Sequence, residues 1–142
     1  MDVIILIGRI LFGGFFLMSG INHFAKLEAM TGYAKYKKLP AAKLGVLLSG
    51  LMLVLGGIYI ILGFYTDLGL LLIAIFLVLA AVIFHNFWTE TDATAKQNEM
   101  LAFMKDIALA GGALILFALV VKHGAELDFG WVISDENFSL WK

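Results

Sequence analysis

Four long apolar stretches alternate with short polar ones along this chain. The first runs from Val3 to Phe24 and is broken only by Arg9, Ser19, Asn22 and His23 among its glycines and hydrophobic residues. The second, Ala41 to Phe64, carries Lys43 near its start and Ser49, while the third, Leu68 to Trp88, has no charge and places His85 near its end. The fourth is shorter and reaches Val121, with Lys105 and Asp106 close to its beginning. A hydrocarbon core of about 30 Å takes roughly 20 helical residues. The pattern therefore predicts membrane-spanning helices at about 3–24, 41–64, 68–88 and 101–121. The runs are continuously apolar, not alternating, and far longer than a barrel strand, which selects helices.

The connections fit one domain of four antiparallel, up-and-down spans, an all-α integral membrane bundle. Ala25 to Leu39 holds Lys26, Lys35, Lys37 and Lys38 with Tyr33 and Tyr36 between them, an interfacial stretch with an aromatic belt. Pro40 precedes span two, where a helix start tolerates it. Tyr65, Thr66 and Asp67 form a tight turn, and Thr89 to Glu99 reads as a polar loop. The tail, 122–142, is too polar to span, yet its Phe129, Trp131, Phe138 and Trp141 suit it to lie along the interface or cover the bundle end. The first run opens with Asp2 and has no small-residue cleavage site, so it reads as a retained helix rather than a signal peptide.

Composition sharpens this. Hydrophobic residues make up 62% of the 142 residues and charged ones 15%, too apolar for one soluble core of this length. The absence of cysteine rules out disulfides, thiolate nucleophiles and cysteine-held clusters. A net charge of −1 offers no basic footprint for nucleic acid. Seven basic residues fall on the side of loops one and three (Lys26, Lys35, Lys37, Lys38, Lys43, Lys96, Lys105) and three on the other (Arg9, Lys122, Lys142). The positive-inside rule then sets those loops in the cytoplasm and both termini outside, in a bacterial or archaeal plasma membrane.

Within lipid, ionisable residues face the bundle interior or a cavity. Arg9 and His23 are fourteen residues apart and so lie about 40° from each other on a helix. Gly13, Phe16 and Gly20 share that stripe, which reads as a packing and pocket face. Arg9 on it serves either a ligand or a structural partner. Comparable seams run through Gly45, Ser49, Met52, Gly56, Tyr59 and Gly63 on span two, through Ala74, Val78, Ala81, His85 and Trp88 on span three, and through Asp106, Ala110, Ala113 and Phe117 on span four. Such seams suit a tight bundle, and they suit a homo-oligomer as well.

The alternation of directions brings Asn22, His23, His85, Asn86, Trp88, Lys105 and Asp106 to one mouth, with Ser49 deeper. A mouth of this kind can hold a polar headgroup such as a quinone carbonyl or phenol while the seam holds an apolar tail, and histidine trades a proton near neutral pH. The bland alternative is a set of ordinary interfacial residues. No paired-histidine, phosphate-loop or nucleophile-elbow motif exists, so no metal, nucleotide or acyl-transfer chemistry is expected.

Several segments resemble the DoxX family of small membrane proteins. They are Gly8-Arg9 through Phe16 with Ser19-Gly20 and Asn22, Leu39-Pro40, Gly56-Gly57 with Leu62-Gly63-Phe64, Phe84-His85-Asn86-Phe87-Trp88, and Phe103 to Leu114. The resemblance implies a four-helix bacterial or archaeal membrane protein, in a family that includes the small subunit of a thiosulfate:quinone oxidoreductase. Arg9, His85 and Lys105 match positions that recur in it. Two positions depart: Leu53 stands where many members have glutamate, and His23 where lysine is common. The resulting expectation is a subunit without an intrinsic cofactor that binds a quinone, quinol or lipid-like ligand and works with a redox partner. The alternative is a non-catalytic lipid or small-solute carrier, or an assembly scaffold.

Overall fold

A computed structural model describes residues 1–124, 130–134 and 137–141. Among them the architecture is all-helical: α1 (Asp2–Ala25), α2 (Leu27–Tyr36), α3 (Ala42–Leu62), α4 (Thr66–Phe84), a short 3₁₀ turn (Phe87–Thr89) and α5 (Ala93–His123). Among the described residues four helices are long and apolar enough to cross a membrane. They follow one another up and down, α1 packing on α3, α3 on α4 and α4 on α5. Lipid tails are as apolar as leucine, so close packing rather than water exclusion must hold such helices together. The glycines supply it. A Cβ on Gly57 would lie 2.6 Å from the Gly13 carbonyl oxygen, and one on Gly20 would lie 2.8 Å from that of Gly50. Gly56 meets Gly69 and Ile73 of α4 on another side of α3.

The α1 stripe of Arg9, Gly13, Phe16 and Gly20 is buried as read from spacing, and so are Asp106, Ala110 and Ala113 of α5. On α3 the seam is displaced by one position. Its buried face is Val46, Gly50, Leu53, Gly57 and Ile60, with Gly56 beside it, because α3 lies between two spanning partners, α1 and α4, and needs two seams. On α4 Val78 faces outward and the buried set is Ile73, Ala74, Leu77, Ala80 and Ala81.

Three segments differ from the sequence reading. The interfacial stretch after α1 is itself a helix, α2, which buries Ala34 against Ala42 and Val46 at the start of α3. Thr66 and Asp67 open α4 instead of lying in the turn, which Gly63 begins in the left-handed conformation that ends α3. The loop read as Thr89 to Glu99 is helical from Ala93, because the Asp92 carboxylate accepts the Ala95 N–H at 2.8 Å and caps α5.

At 31 residues α5 is about 46 Å long, well beyond the hydrocarbon thickness. Its first turns stand alongside the end of α4 and the 3₁₀ turn.

At the opposite end the tail runs under the α3–α4 turn. Tyr65 and Thr66 N–H groups donate to the Asn137 and Phe138 carbonyls, and Ile133 N–H donates to Leu62. Phe138 and Ser139 are buried there, and Trp141 meets Phe117 edge-on. Phe129 and Lys142 lie outside the described residues.

Candidate functional site

The site is assembled where α4 ends. Helix α4 stops at Phe84, which leaves the His85 ring free to turn toward the overhanging start of α5. Its Nδ1 lies 2.8 Å from Glu99 Oε2 and its Nε2 3.5 Å from Asp106 Oδ2. Seven residues separate the two carboxylates, so they stand one above the other on the same helix face. Lys105 Nζ is 3.7 Å from Asp106 Oδ1, and Lys105 is mostly exposed where Asp106 is buried. Both ring nitrogens of His85 are thus engaged by different carboxylates. The acids do not converge on a common point, and among the described residues no group of His, Asp and Glu is arranged to hold a metal ion.

A second polar group ties α2 to this end. Lys37 Nζ donates to Asn86 Oδ1 at 3.0 Å and lies 3.7 Å from Glu90. Tyr33 stacks on Phe84, and Lys37 sits over the Tyr33 ring. Burial, then the neighbouring Glu99, Glu90 and Tyr36, push the Tyr33 phenol above its ordinary range, so it stays protonated in neutral water. Trp88 is exposed and meets Phe87 and Phe103 edge-on, closing the aromatic side of the turn.

Below Lys105, α1 and α5 barely touch, and a cleft of about 490 Å³ opens sideways between them. Its walls are Gly8, Leu11, Phe12, Phe15 and Phe16 of α1 with Lys105 and Leu109 of α5. Among the described residues of that lining Lys105 alone is charged.

Of the residues singled out in the sequence, His85, Lys105 and Asp106 form one contact group, with Asn86 beside it. His23 turns back on its own helix: its Nδ1 lies 2.7 Å from the Ser19 carbonyl oxygen, and its ring meets Phe76 edge-on. Ser49 donates to the Val46 carbonyl one turn away. Asn22 is half-buried at the end of α1.

Arg9 is at the other end of the bundle. Its guanidinium donates to the Ile60 carbonyl at 2.9 Å, to Ile61 at 2.7 Å and to Trp131 at 2.7 Å. It caps the last turn of α3 and pins the tail. Glu99 was missed because its segment read as loop; Asp92 as a helix cap was the available signal. Asp67 was also missed. It is fully buried, and its carboxylate accepts from Ser139 Oγ and from the Leu68, Leu140 and Trp141 N–H groups.

The family model for DoxX matches residues 4–86, more than half of the chain. The chain belongs to the DoxX family. The match takes in α1 to α4 and His85, while Glu99, Lys105 and Asp106 on α5 lie beyond it. Among curated proteins, this DoxX chain is similar to the inner membrane protein YphA of Escherichia coli (strain K12). The two are 29% identical over 126 residues, which cover 89% of each chain. No solved structure matches it significantly.

Proposed function

We propose that this DoxX protein is a membrane subunit that binds a quinone or quinol in the cleft between α1 and α5 and works with a redox partner. The observation that carries this reading is an open, almost wholly apolar and aromatic cleft that has one basic residue, Lys105, in its described lining. A quinone reaches its site through lipid, so a side opening suits it. Phe12, Phe15 and Phe16 offer ring faces and edges, and the Lys105 ammonium can donate to a ring oxygen. The His85–Asp106 pair stands directly behind that cation. The chain is cysteine-free and supplies no thiol or thiolate-held cluster, which is why a partner is part of the reading. By the positive-inside rule, the end bearing Lys35, Lys37, Lys38, Lys43 and Lys96 faces the cytoplasm, and the relative's inner-membrane setting supports the same membrane here.

The test is titration of decylubiquinone into the protein in lipid nanodiscs, read by intrinsic fluorescence. Saturable binding is expected, weakened about tenfold by Lys105→Ala, the scale of one charge-assisted hydrogen bond. Leu109→Trp should abolish it by filling the cleft. Non-saturating signals that are the same in all three proteins would end the proposal. A second reading, a lipid carrier, draws on the same cation, since an ammonium also suits a phosphate ester. Displacement of decylubiquinone by phosphatidylglycerol at low mole fraction would favour it.

A further inference from the structure

We infer that Glu99, His85, Asp106 and Lys105 form a proton path between the water at the loop-side end and the α1–α5 cleft. The four groups are consecutive in space, at 2.8, 3.5 and 3.7 Å, with Glu99 nearest the loop-side start of α5 and Asp106 the most buried. Glu99 stands on the part of α5 that overhangs α4, and its side chain retains access to water. Asp106 is buried, and Lys105 is shared between Asp106 and the cleft lining. A structural ion pair needs one carboxylate per histidine. Here a second one occupies the other ring nitrogen, the arrangement that lets an imidazole take a proton at one nitrogen and release one from the other.

The transfer balances without any oxidant or reductant. The Lys105 ammonium gives a proton to a phenolate oxygen in the cleft and becomes an amine. The Asp106 carboxylate takes the Nε2 proton of His85 and hands it to the Lys105 amine; His85 takes one at Nδ1 from Glu99, and water reprotonates Glu99. One phenolate becomes a phenol and one proton leaves the loop-side water, and the reverse order carries a phenol proton out. The neighbouring charges and titratable groups leave this line intact. From α2, Lys37 is engaged by Asn86 and Glu90, and Tyr33 stays protonated. From α1, His23 is turned to Ser19.

The destination of the proton rests on the cleft being the ligand site, whereas the path from Glu99 to Asp106 does not. The test therefore follows Asp106 itself in ligand-free nanodiscs. A caged-proton flash is applied, and the carboxylic-acid C=O infrared band is assigned to Asp106 by its loss in Asp106→Asn. The band should rise at least tenfold more slowly in His85→Gln, which keeps a hydrogen-bonding side chain and cannot relay. Glu99→Gln, at a solvent-accessible position, should slow it likewise and covers the case of a misfolded His85 variant. Equal rates in wild type and Glu99→Gln, or no Asp106 band in wild type, would overturn the path. Failure of decylubiquinone to bind would remove the proposed ligand and leave this result standing.

Discussion

Ser139 Oγ donates to Asp67 Oδ2 at 2.6 Å, joining residues that lie 72 positions apart. The carboxylate accepts from four donors among the described residues, three of them in the tail, and it is fully buried. This one side chain therefore holds the tail against the α3–α4 turn. Asp67→Ala should lower stability by about 2–4 kcal/mol, the scale for removing an acceptor shared by several buried donors. Limited proteolysis should then cut within 130–141 while the spans survive. An unchanged cleavage pattern would show that the tail is held by something else.

Gly57 and Gly14 predict opposite outcomes for the same substitution. A methyl on Gly57 meets backbone atoms of α1 at 2.6 and 2.7 Å, whereas one on Gly14 meets nothing within 4 Å. Gly57→Ala should cost about 1–3 kcal/mol by forcing two backbones apart. Gly14→Ala should be neutral or stabilise by up to about 1 kcal/mol through helix propensity. Thermal unfolding in detergent compares them, and equal losses would contradict the close α1–α3 contact.

Arg9 holds the end of α3 and the tail, so its loss is expected to lower stability and leave ligand affinity alone. Its planar fork satisfies the Ile60, Ile61 and Trp131 carbonyls together, which a lysine's single ammonium at the same position cannot match. Arg9→Lys should lower stability by about 1–3 kcal/mol. The decylubiquinone affinity of the folded fraction should stay within about twofold, under 0.5 kcal/mol. A large affinity loss in folded Arg9→Lys would place Arg9 back in the binding machinery.

Asp92 sets where α5 begins, and so where Glu99 stands. Asp92→Ala should cost about 1 kcal/mol and fray the first turns. Amide exchange at Ala95 to Asn98 should quicken, with no change from Ala110 onward. Uniform protection in the variant would mean that the first turns are held by packing instead of by the cap.

Much of this protein was legible before any tertiary contact was known. Lipid cannot solvate backbone amides, so four apolar runs of spanning length commit the chain to four helices. The stripe of Arg9, Gly13, Phe16 and Gly20 could be read as an inner face, because small residues at helical spacing permit close approach. The approach of His85, Lys105 and Asp106 followed from alternating directions alone. Hydropathy, however, reports only the average surroundings of each position and says nothing of which partner meets it. That is why Val78 was read as inner, why the α3 seam was displaced by one residue, and why a polar helix start at Ala93 passed for loop.

Arg9 shows the limit most plainly. Its place on the stripe was correct, yet its partners include the end of α3 and a tail carbonyl 122 positions away. Asp67 likewise looked like a turn residue until the tail came back to it. The sequence by itself determined that this is a four-span membrane bundle and which α1 and α5 faces turn inward, because those follow from local periodicity and the solvent. Only the tertiary structure decided which polar groups pair, because a hydrogen bond depends on where distant segments bring their donors.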